Sequence, residues 1–394
     1  MNRDGALPAL AAHYFDGQQA RPHAVHLTVQ GGQLHIDGDG VALRVPVRRV
    51  SWPERQRHGS RQAYLPGHGM LSHADAATWD ALVQRSAQGT LFATSTFLQA
   101  AGCPHQRWAV VQGQAVKAAL LLPTSADGRA VVADDLIIHA GPMFALDAKR
   151  QAVKRRHDEF EISAFVAAEL ARRFDRIELP LAPQLADMRP FLWHEYHGAK
   201  DRQYRLDLRY TSYVDIRSLA QVAHDQAEAT DCFEAMETVR RYSVREARKK
   251  GGSVRVVKDS AALIGYYRDL MQAQGEQAPE AKLAAMQRVM DRLIGIGRGA
   301  MFHVHDADDT LLYCVFYGWD QYRAYYLYGA GHPERSAPWQ GTLAHWFAFG
   351  HLAREHGVAE VDLEGVNSPQ RGWFKLGFGG NLQPYHTLHW GPAA

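Results

Sequence analysis

Three cysteines in 394 residues leave no room for a disulfide framework. Cys103, Cys232 and Cys314 are far apart and match no zinc-ligand spacing, so they read as reduced, small apolar residues. A surplus of one charge is missing too: 44 Lys and Arg face 42 Asp and Glu, a formal net charge of +2. No global field therefore draws the chain onto nucleic acid or membrane, and any such binding falls to local patches. No apolar run approaches the roughly 20 residues that span a bilayer. The start, Met1-Asn2-Arg3-Asp4-Gly5, has no apolar signal core. The expectation is a soluble, cytoplasmic protein without a membrane span. There is no His-Glu-x-x-His and no heptad run long enough for a coiled-coil arm.

What is present is an ordinary globular balance, 46% apolar and 22% charged, at a length that suits two or three domains. In residues 1–70, His26-Leu27-Thr28-Val29, Leu34-His35-Ile36 and Val41-Ala42-Leu43-Arg44-Val45 alternate apolar and polar between Gly-rich turns. That pattern predicts a small antiparallel β module. From about residue 73 the pattern changes. Ala76 to Arg85 reads as a helix with Trp79, Leu82 and Val83 on one face, and Thr94 can cap a second helix ending near Ala101. Strands follow at Trp108–Gln112 and Ala115–Leu122 around a Gln-Gly turn. Ile137 to Phe144 holds a strand-breaking step, Glu159 to Arg173 reads as a helix, and Arg176 to Leu181 as a strand.

A similar order then recurs. Leu206 to Ile216 predicts a strand, and one long helix covers Ala227 to Lys250 up to Gly251-Gly252. Val254 to Val257 predicts a strand, with helices near 260–274 and 280–295. Met301–His305, Leu311–Tyr317 and Tyr322–Tyr328 predict a meander, followed by a helix over Thr342–His356 and a strand at Glu360–Leu363. The fold class is α/β (α+β): units at 71–205 and 206–394 behind the N-terminal module.

The stretch from Val361 to Gly380 carries the most chemistry. A short apolar run ends in Asp362 and Glu364, a loop follows, and Lys375 stands among Phe374, Phe378 and glycines. A partly desolvated cation interacts strongly with negative charge that develops beside it, as on a carbonyl oxygen during acyl transfer.

Several pieces in order resemble the Fem-type aminoacyltransferases, tandem GNAT-like folds. They are Leu91-Phe92-Ala93-Thr94-Ser95, His139-Ala140-Gly141-Pro142, the basic run Arg240 to Gly251, Tyr326-Leu327-Tyr328-Gly329-Ala330, and Phe374-Lys375-Leu376-Gly377-Phe378-Gly379. The resemblance implies two tandem GNAT-like domains with mixed sheets. It also implies an enzyme that moves an aminoacyl group from aminoacyl-tRNA onto an amine. The acceptor would be a small-molecule, lipid-linked or nucleotide-linked amine of a cell-envelope, peptidoglycan or polysaccharide precursor. Asp187 to Trp193 and Tyr210 to Tyr213 resemble the less characterised branches, and the lack of the coiled-coil arm that some family members carry puts peptidoglycan in question. Separately, Tyr14-Phe15-Asp16-Gly17 through Arg21-Pro22-His23 resembles a segment ahead of some bacterial membrane-linked zinc peptidases. It suggests a docking module with a protein partner.

The resemblance gives Lys375 the role of oxyanion stabiliser, beside Phe374 as the wall of the pocket; a donor of this kind matters by roughly 100- to 1,000-fold. The alternative is a lysine stem covering apolar surface. Glu364 could take the proton of the attacking ammonium, while Asp362 and Asn367 sit at the same strand end; turn capping is their plainer role. Arg241 and Arg245, four apart, share a helix face that could hold phosphates, or simply face solvent near a helix C-terminus. Asp134, Asp135 and His139 could hydrogen-bond an acceptor amine or sugar, though turn capping is their plainer role, and Tyr328 ends its strand as a ligand candidate. His194 with His197 and His303 with His305 are close pairs without a carboxylate partner motif, so no metal is expected. No cofactor is expected beyond the donor substrate. The alternatives are an acyl-CoA donor and a non-enzymatic pathway scaffold. A proline-bearing insert from His332 to Pro338 interrupts the glycine-rich turn that would cradle a CoA pyrophosphate.

Overall fold

The computed structural model describes residues 10–16, 23–50, 61–65, 69–73, 76–112, 115–145 and 149–392. Met1 to Gly5, residues 17–22 of the peptidase-like segment and the turn at residues 113–114 lie outside them. The alternating N-terminal pattern forms β1 (Leu10–Phe15), β2 (His23–Gln30), β3 (Gln33–Gly38), β4 (Val41–Pro46), β5 (Arg61–Leu65) and β6 (Gly69–His73). They make one antiparallel sheet in the order β4-β3-β2-β1-β6-β5. Val25, Leu34, Ile36 and Val45 give the module a small core of its own.

The next elements pack as an α/β unit. In α1 (Ala76–Arg85) the buried residues are Trp79, Leu82 and Val83, the face that helical periodicity selects. In α2 (Ser95–Ala101), Thr94 accepts from the Phe97 amide at 3.3 Å as N-cap. β7 (His105–Gln112), β8 (Ala115–Pro123), β9 (Ala130–Val131) and β10 (Gly141–Phe144) follow, and β10-β8-β7 form a three-stranded sheet. α3 (Ala152–Arg173) starts seven residues before the expected Glu159. Its first turns are mostly solvent-exposed, so they carry no apolar period to read. β11 (Arg176–Pro180), α4 (Arg189–Leu192) and β12 (Arg205–Asp215) complete this part.

The long helix expected over Ala227–Lys250 is instead broken into α5 (Asp231–Glu234) and α6 (Thr238–Lys249). Thr230 caps α5 by accepting from the Phe233 amide, and the Glu237 amide donates to the Gly377 carbonyl at 2.9 Å. The chain leaves the helical path there because its backbone is bonded to the Lys375 segment. Beyond lie β13 (Ser253–Val257), α7 (Ala261–Ala273), α8 (Glu280–Gly295), β14 (Gly299–His305), β15 (Leu311–Trp319) and β16 (Ala324–Gly331). Then come α9 (Gln340–His356), β17 (Glu360–Asp362), α10 (Pro369–Leu376) and β18 (Asn381–Trp390).

A nine-stranded mixed sheet orders these as β13-β14-β15-β16-β17-β12-β18-β11-β9. The C-terminal strand β18 pairs with β12 on one side and β11 on the other, so early and late parts of the chain share a sheet. Sequence reading passed over β18 because it opens on Asn381-Leu382-Gln383-Pro384, polar residues and a proline that read as loop. One core lies under α1, α2, α3 and α8, and a second between α9 and the sheet, where Phe302, Val315, Tyr317 and Phe349 are buried. No helix among the described residues is long and apolar enough to cross a membrane.

Candidate active site

The site opens where two parallel strands part. β16 and β17 pair only at Ala324–Val361 and Tyr325–Asp362, and the ladder between them ends there. Gaps beyond the C-terminal ends of strands in an α/β sheet are natural ligand sites. Here the gap leads into a cleft of about 780 Å³. Phe92, Leu136 and Ile138 wall it on one side, and Tyr328, Glu364 and Lys375 on the other.

The segment after β17 is bonded to β12. The Leu363 amide donates to the Ser212 carbonyl at 2.9 Å and the Val366 amide to the Tyr210 carbonyl at 3.0 Å. Asn367 uses both ends of its amide on the Tyr210 backbone, at 2.8 and 3.0 Å, so it secures the loop rather than facing a ligand. Glu364 is held at φ +60, a left-handed conformation that costs a residue with a Cβ roughly 1–2 kcal/mol. Backbone outliers of this kind gather at functional sites.

Lys375 does not follow a loop, as the sequence suggested; it rides the last turn of α10. Ser368 and Pro369 open this helix, and Pro at the first turn is pre-set for helix. Gly372 lets α10 sit against the preceding loop, since a Cβ there would come 2.6 Å from the Val366 carbonyl oxygen. The Lys375 ammonium donates to the Gly365 carbonyl at 3.1 Å and lies 5.2 Å from the centre of the Tyr326 ring. The aromatic partner of the cation is thus Tyr326. Phe374 instead carries the Arg240 guanidinium at 4.4 Å, packs on His345 and Phe378, and lines the cleft.

Behind Glu364 sits a buried polar cluster. His139 is 1% exposed, Asp362 0% and Glu364 7%. Asp362 Oδ1 accepts from the Thr211 hydroxyl and from the Glu364 amide. Asp362 Oδ2, both Glu364 carboxylate oxygens and His139 Nε2 have no hydrogen-bond partner. Burial pushes Asp362 up from 3.8 to about 6, against the Thr211 and Glu364 bonds and the Arg323 and Lys375 charges. Burial, then the Asp362 charge, raises Glu364 well above the usual carboxylate range. Burial pulls the Lys375 ammonium down, while Glu364 and Asp362 hold it up. Burial leaves His139 neutral at physiological pH, with its pKa near 3. Among the described residues, His139, Asp362 and Glu364 are the group of His, Cys, Asp or Glu side chains compact enough to surround a cation. Neither histidine pair singled out in the sequence belongs to it.

The remaining expected residues scatter. Tyr328 lines the cleft, with its hydroxyl pKa raised by burial. Asp135 stands at the rim in an ion pair with Lys282. Asp134 Oδ1 accepts from the Leu136 amide at 2.8 Å, the plain turn-capping role. Arg245 is bonded to Glu228 at 2.8 Å, and Arg241 to the Thr238 hydroxyl at 3.3 Å; neither lines the cleft. The arginine of this helix that reaches the site is Arg240, through Phe374. Sequence reading also missed Thr211, Arg371 and Arg323. Arg371 lines the cleft, and Arg323 bonds Glu360 and the Tyr213 hydroxyl while its charge acts on Asp362. Thr211 and Asp362 are 151 residues apart, so only the sheet brings them together.

Comparison with known proteins agrees with this architecture. Residues 235–372 match the model of the acetyltransferase (GNAT) domain, and residues 9–86 match a domain of unknown function (DUF7092). No curated protein matches the sequence. Among solved structures, FemX is similar at 16% identity and a TM-score of 0.51, over 80% of this chain and 96% of that one. The C-terminal domain of a proposed lysylphosphatidylglycerol synthetase from Agrobacterium fabrum is similar at 12% identity and a TM-score of 0.48, over 80% and 92%. The L-PGS of Bacillus licheniformis follows at 11% and 0.43, over 80% and 92%. The resemblance to Fem-type enzymes read from the sequence therefore holds in the fold.

Proposed function

From this acyltransferase core we propose an aminoacyltransferase that forms an amide between an aminoacyl group carried on tRNA and an amine of a cell-envelope, polysaccharide or related precursor. The observation that carries the reading is the placing of Lys375 and Glu364 in one cleft between early and late parts of the chain. Amide formation from an ester needs an amine without its extra proton and a place for the oxyanion. Glu364, with two unpartnered oxygens and a pKa already raised, takes the proton. Lys375, held by Gly365, faces the carbonyl oxygen as it becomes negative. Phe374 and Tyr328 limit water, and holding both substrates in the cleft supplies much of the rate. The donor is a substrate, and this chemistry needs no resident cofactor. Shared motif order with the Fem-type enzymes and the FemX-like fold support the tRNA donor.

An acyl-CoA donor is the second reading, favoured by the GNAT domain match and by Gly329 and Gly331 in the cleft wall. Against it, His332 to Trp339 separate Gly331 from the start of α9 at Gln340, and the Gln340 side chain accepts from the Ala337 amide there. Single turnover with a radiolabelled aminoacyl-tRNA pool and cell extract, followed by mass spectrometry of any labelled product, decides between them. Label on a small amine supports the proposal. Tight acetyl-CoA binding by calorimetry with no transfer from tRNA replaces it with the second reading.

A further inference from the structure

In the buried cluster at Glu364, four polar atoms have no hydrogen-bond partner: His139 Nε2, Asp362 Oδ2 and both Glu364 carboxylate oxygens. His139 Nδ1 faces the Leu181 carbonyl at 3.1 Å, and a carbonyl only accepts, so the ring proton is on Nδ1. Nε2 therefore presents a lone pair. Asp362 Oδ2 lies 4.0 Å from that Nε2, too far for a bond between them. One nitrogen of His139, one carboxylate oxygen of Asp362 and one of Glu364 lie within 4.8 Å of one another. Unpaired buried acceptors are costly, and three facing each other need a shared donor at their centre.

We propose that this cluster is the seat of a primary ammonium group, R–NH3+, with its three N–H bonds directed at His139 Nε2, Asp362 Oδ2 and Glu364. A tetrahedral nitrogen at about 2.8 Å from each acceptor sets the acceptors roughly 4.6 Å apart, and bent bonds bring that down to about 4 Å. A divalent metal with ligands at about 2.1 Å would draw them to roughly 3.4 Å. His139 Nε2 and Asp362 Oδ2 stand 4.0 Å apart, wider than that. Charge points the same way: the two carboxyl groups already feel Lys375 and Arg323, so a dication is poorly matched. Glu364 lines the cleft while His139 and Asp362 lie behind it, so the ligand enters head first and leaves its body in the cleft. Leu136, Ile138, Leu270 and Leu327 are among the residues lining the cleft and can take a methylene chain attached to the nitrogen.

The inference rests on the reading that Glu364 meets the acceptor amine, and it restricts the acceptor to unhindered primary amines. In the transfer, one N–H bond breaks and its proton moves to the Glu364–Asp362 pair; the neutral amine then turns about its C–N bond and withdraws towards the cleft, where the freed lone pair attacks the ester carbonyl. A second proton leaves the nitrogen as the C–O bond breaks and ends on the departing oxygen. Secondary and tertiary ammonium ions leave one or two buried acceptors unfilled, which a hydrogen-bonding site rejects strongly.

The test uses the full chain without any donor. Calorimetry and thermal melts are run with n-butylammonium, N-methylbutylammonium and N,N-dimethylbutylammonium chloride, with zinc and manganese chloride alone, and with sodium chloride at matched ionic strength. The expected result is saturable binding of the primary ammonium, at least about tenfold weaker for the secondary and weaker again for the tertiary ion. His139→Ala abolishes the discrimination; should that variant fold poorly by circular dichroism, Glu364→Ala, which removes the carboxylate oxygens, serves the same purpose. Equal binding of the three amines overturns the proposal, as does no amine binding at all. Zinc or manganese binding lost in the variants overturns it in favour of a metal site. Primary-amine binding with no acyl transfer from any donor leaves this seat standing and removes the functional reading.

Discussion

Asp362→Asn should make the protein more stable and less active, with a size that follows from burial. The Asp362 carboxyl titrates near 6 in the fold against an ordinary 3.8, a rise of about 2 units, each worth about 1.4 kcal/mol. The native state thus binds the proton more tightly than the unfolded chain. Stability is full below about pH 4, falls as pH rises towards 6, and is lower by roughly 3 kcal/mol above that. An asparagine keeps an Oδ1 for the Thr211 and Glu364 donors and places an N–H where Oδ2 faced His139. At pH 7.5 the variant should gain up to roughly 3 kcal/mol, about 6–12 °C in the melting of the α/β part. At pH 4 the two proteins should melt alike. Scanning calorimetry at both pH values reads this directly, and acyl transfer should fall at least about tenfold. An asparagine variant that melts at or below the parent at pH 7.5 refutes the argument that buried charge is being held here for function.

Gly372→Ala should displace α10, because the new Cβ would meet the Val366 oxygen at 2.6 Å; transfer should drop by about 100-fold, since small misplacements are costly, and the melting temperature should fall as well. Arg240→Ala removes the guanidinium over Phe374 and the bond to Thr342, and steady-state assays should show a several-fold loss, whereas Arg245→Ala, which breaks a pair with Glu228 and a contact over the Phe233 ring, both away from the cleft, should stay within about twofold. Deleting residues 1–73 should leave a folded, transferring core by circular dichroism and activity, because that module packs on its own hydrophobic cluster.

Periodicity and turn chemistry made much of the fold legible. α1, α2, α7, α8 and α9 stand close to where their apolar spacing and caps put them, and Gly357 ends α9 at φ +64 as a left-handed stop. The failures have physical causes. The helix over Ala227–Lys250 breaks because the Glu237 amide finds the Gly377 oxygen, a partner 140 residues away that no local signal announces. α10 was hidden by its Pro and Gly, residues that read as loop but here start the helix and let it pack closely. At the candidate site, motif and position single out Lys375, Phe374, Glu364 and Tyr328, and all four line one cleft. His139 and Asp362 were found as residues but not as a pair, because their meeting depends on strands separated by more than 200 residues. Arg241 and Arg245 were chosen for helical spacing, which says that two residues share a face but not which face meets the site.

The most direct measurement is single-turnover amide formation by the parent protein and Lys375→Met with the same charged tRNA and a primary-amine acceptor. The account expects label on the acceptor nitrogen and a rate roughly 100- to 1,000-fold lower in the variant, with amine binding retained. A variant within about twofold of the parent, or no label transferred by the parent from any aminoacyl-tRNA, contradicts it.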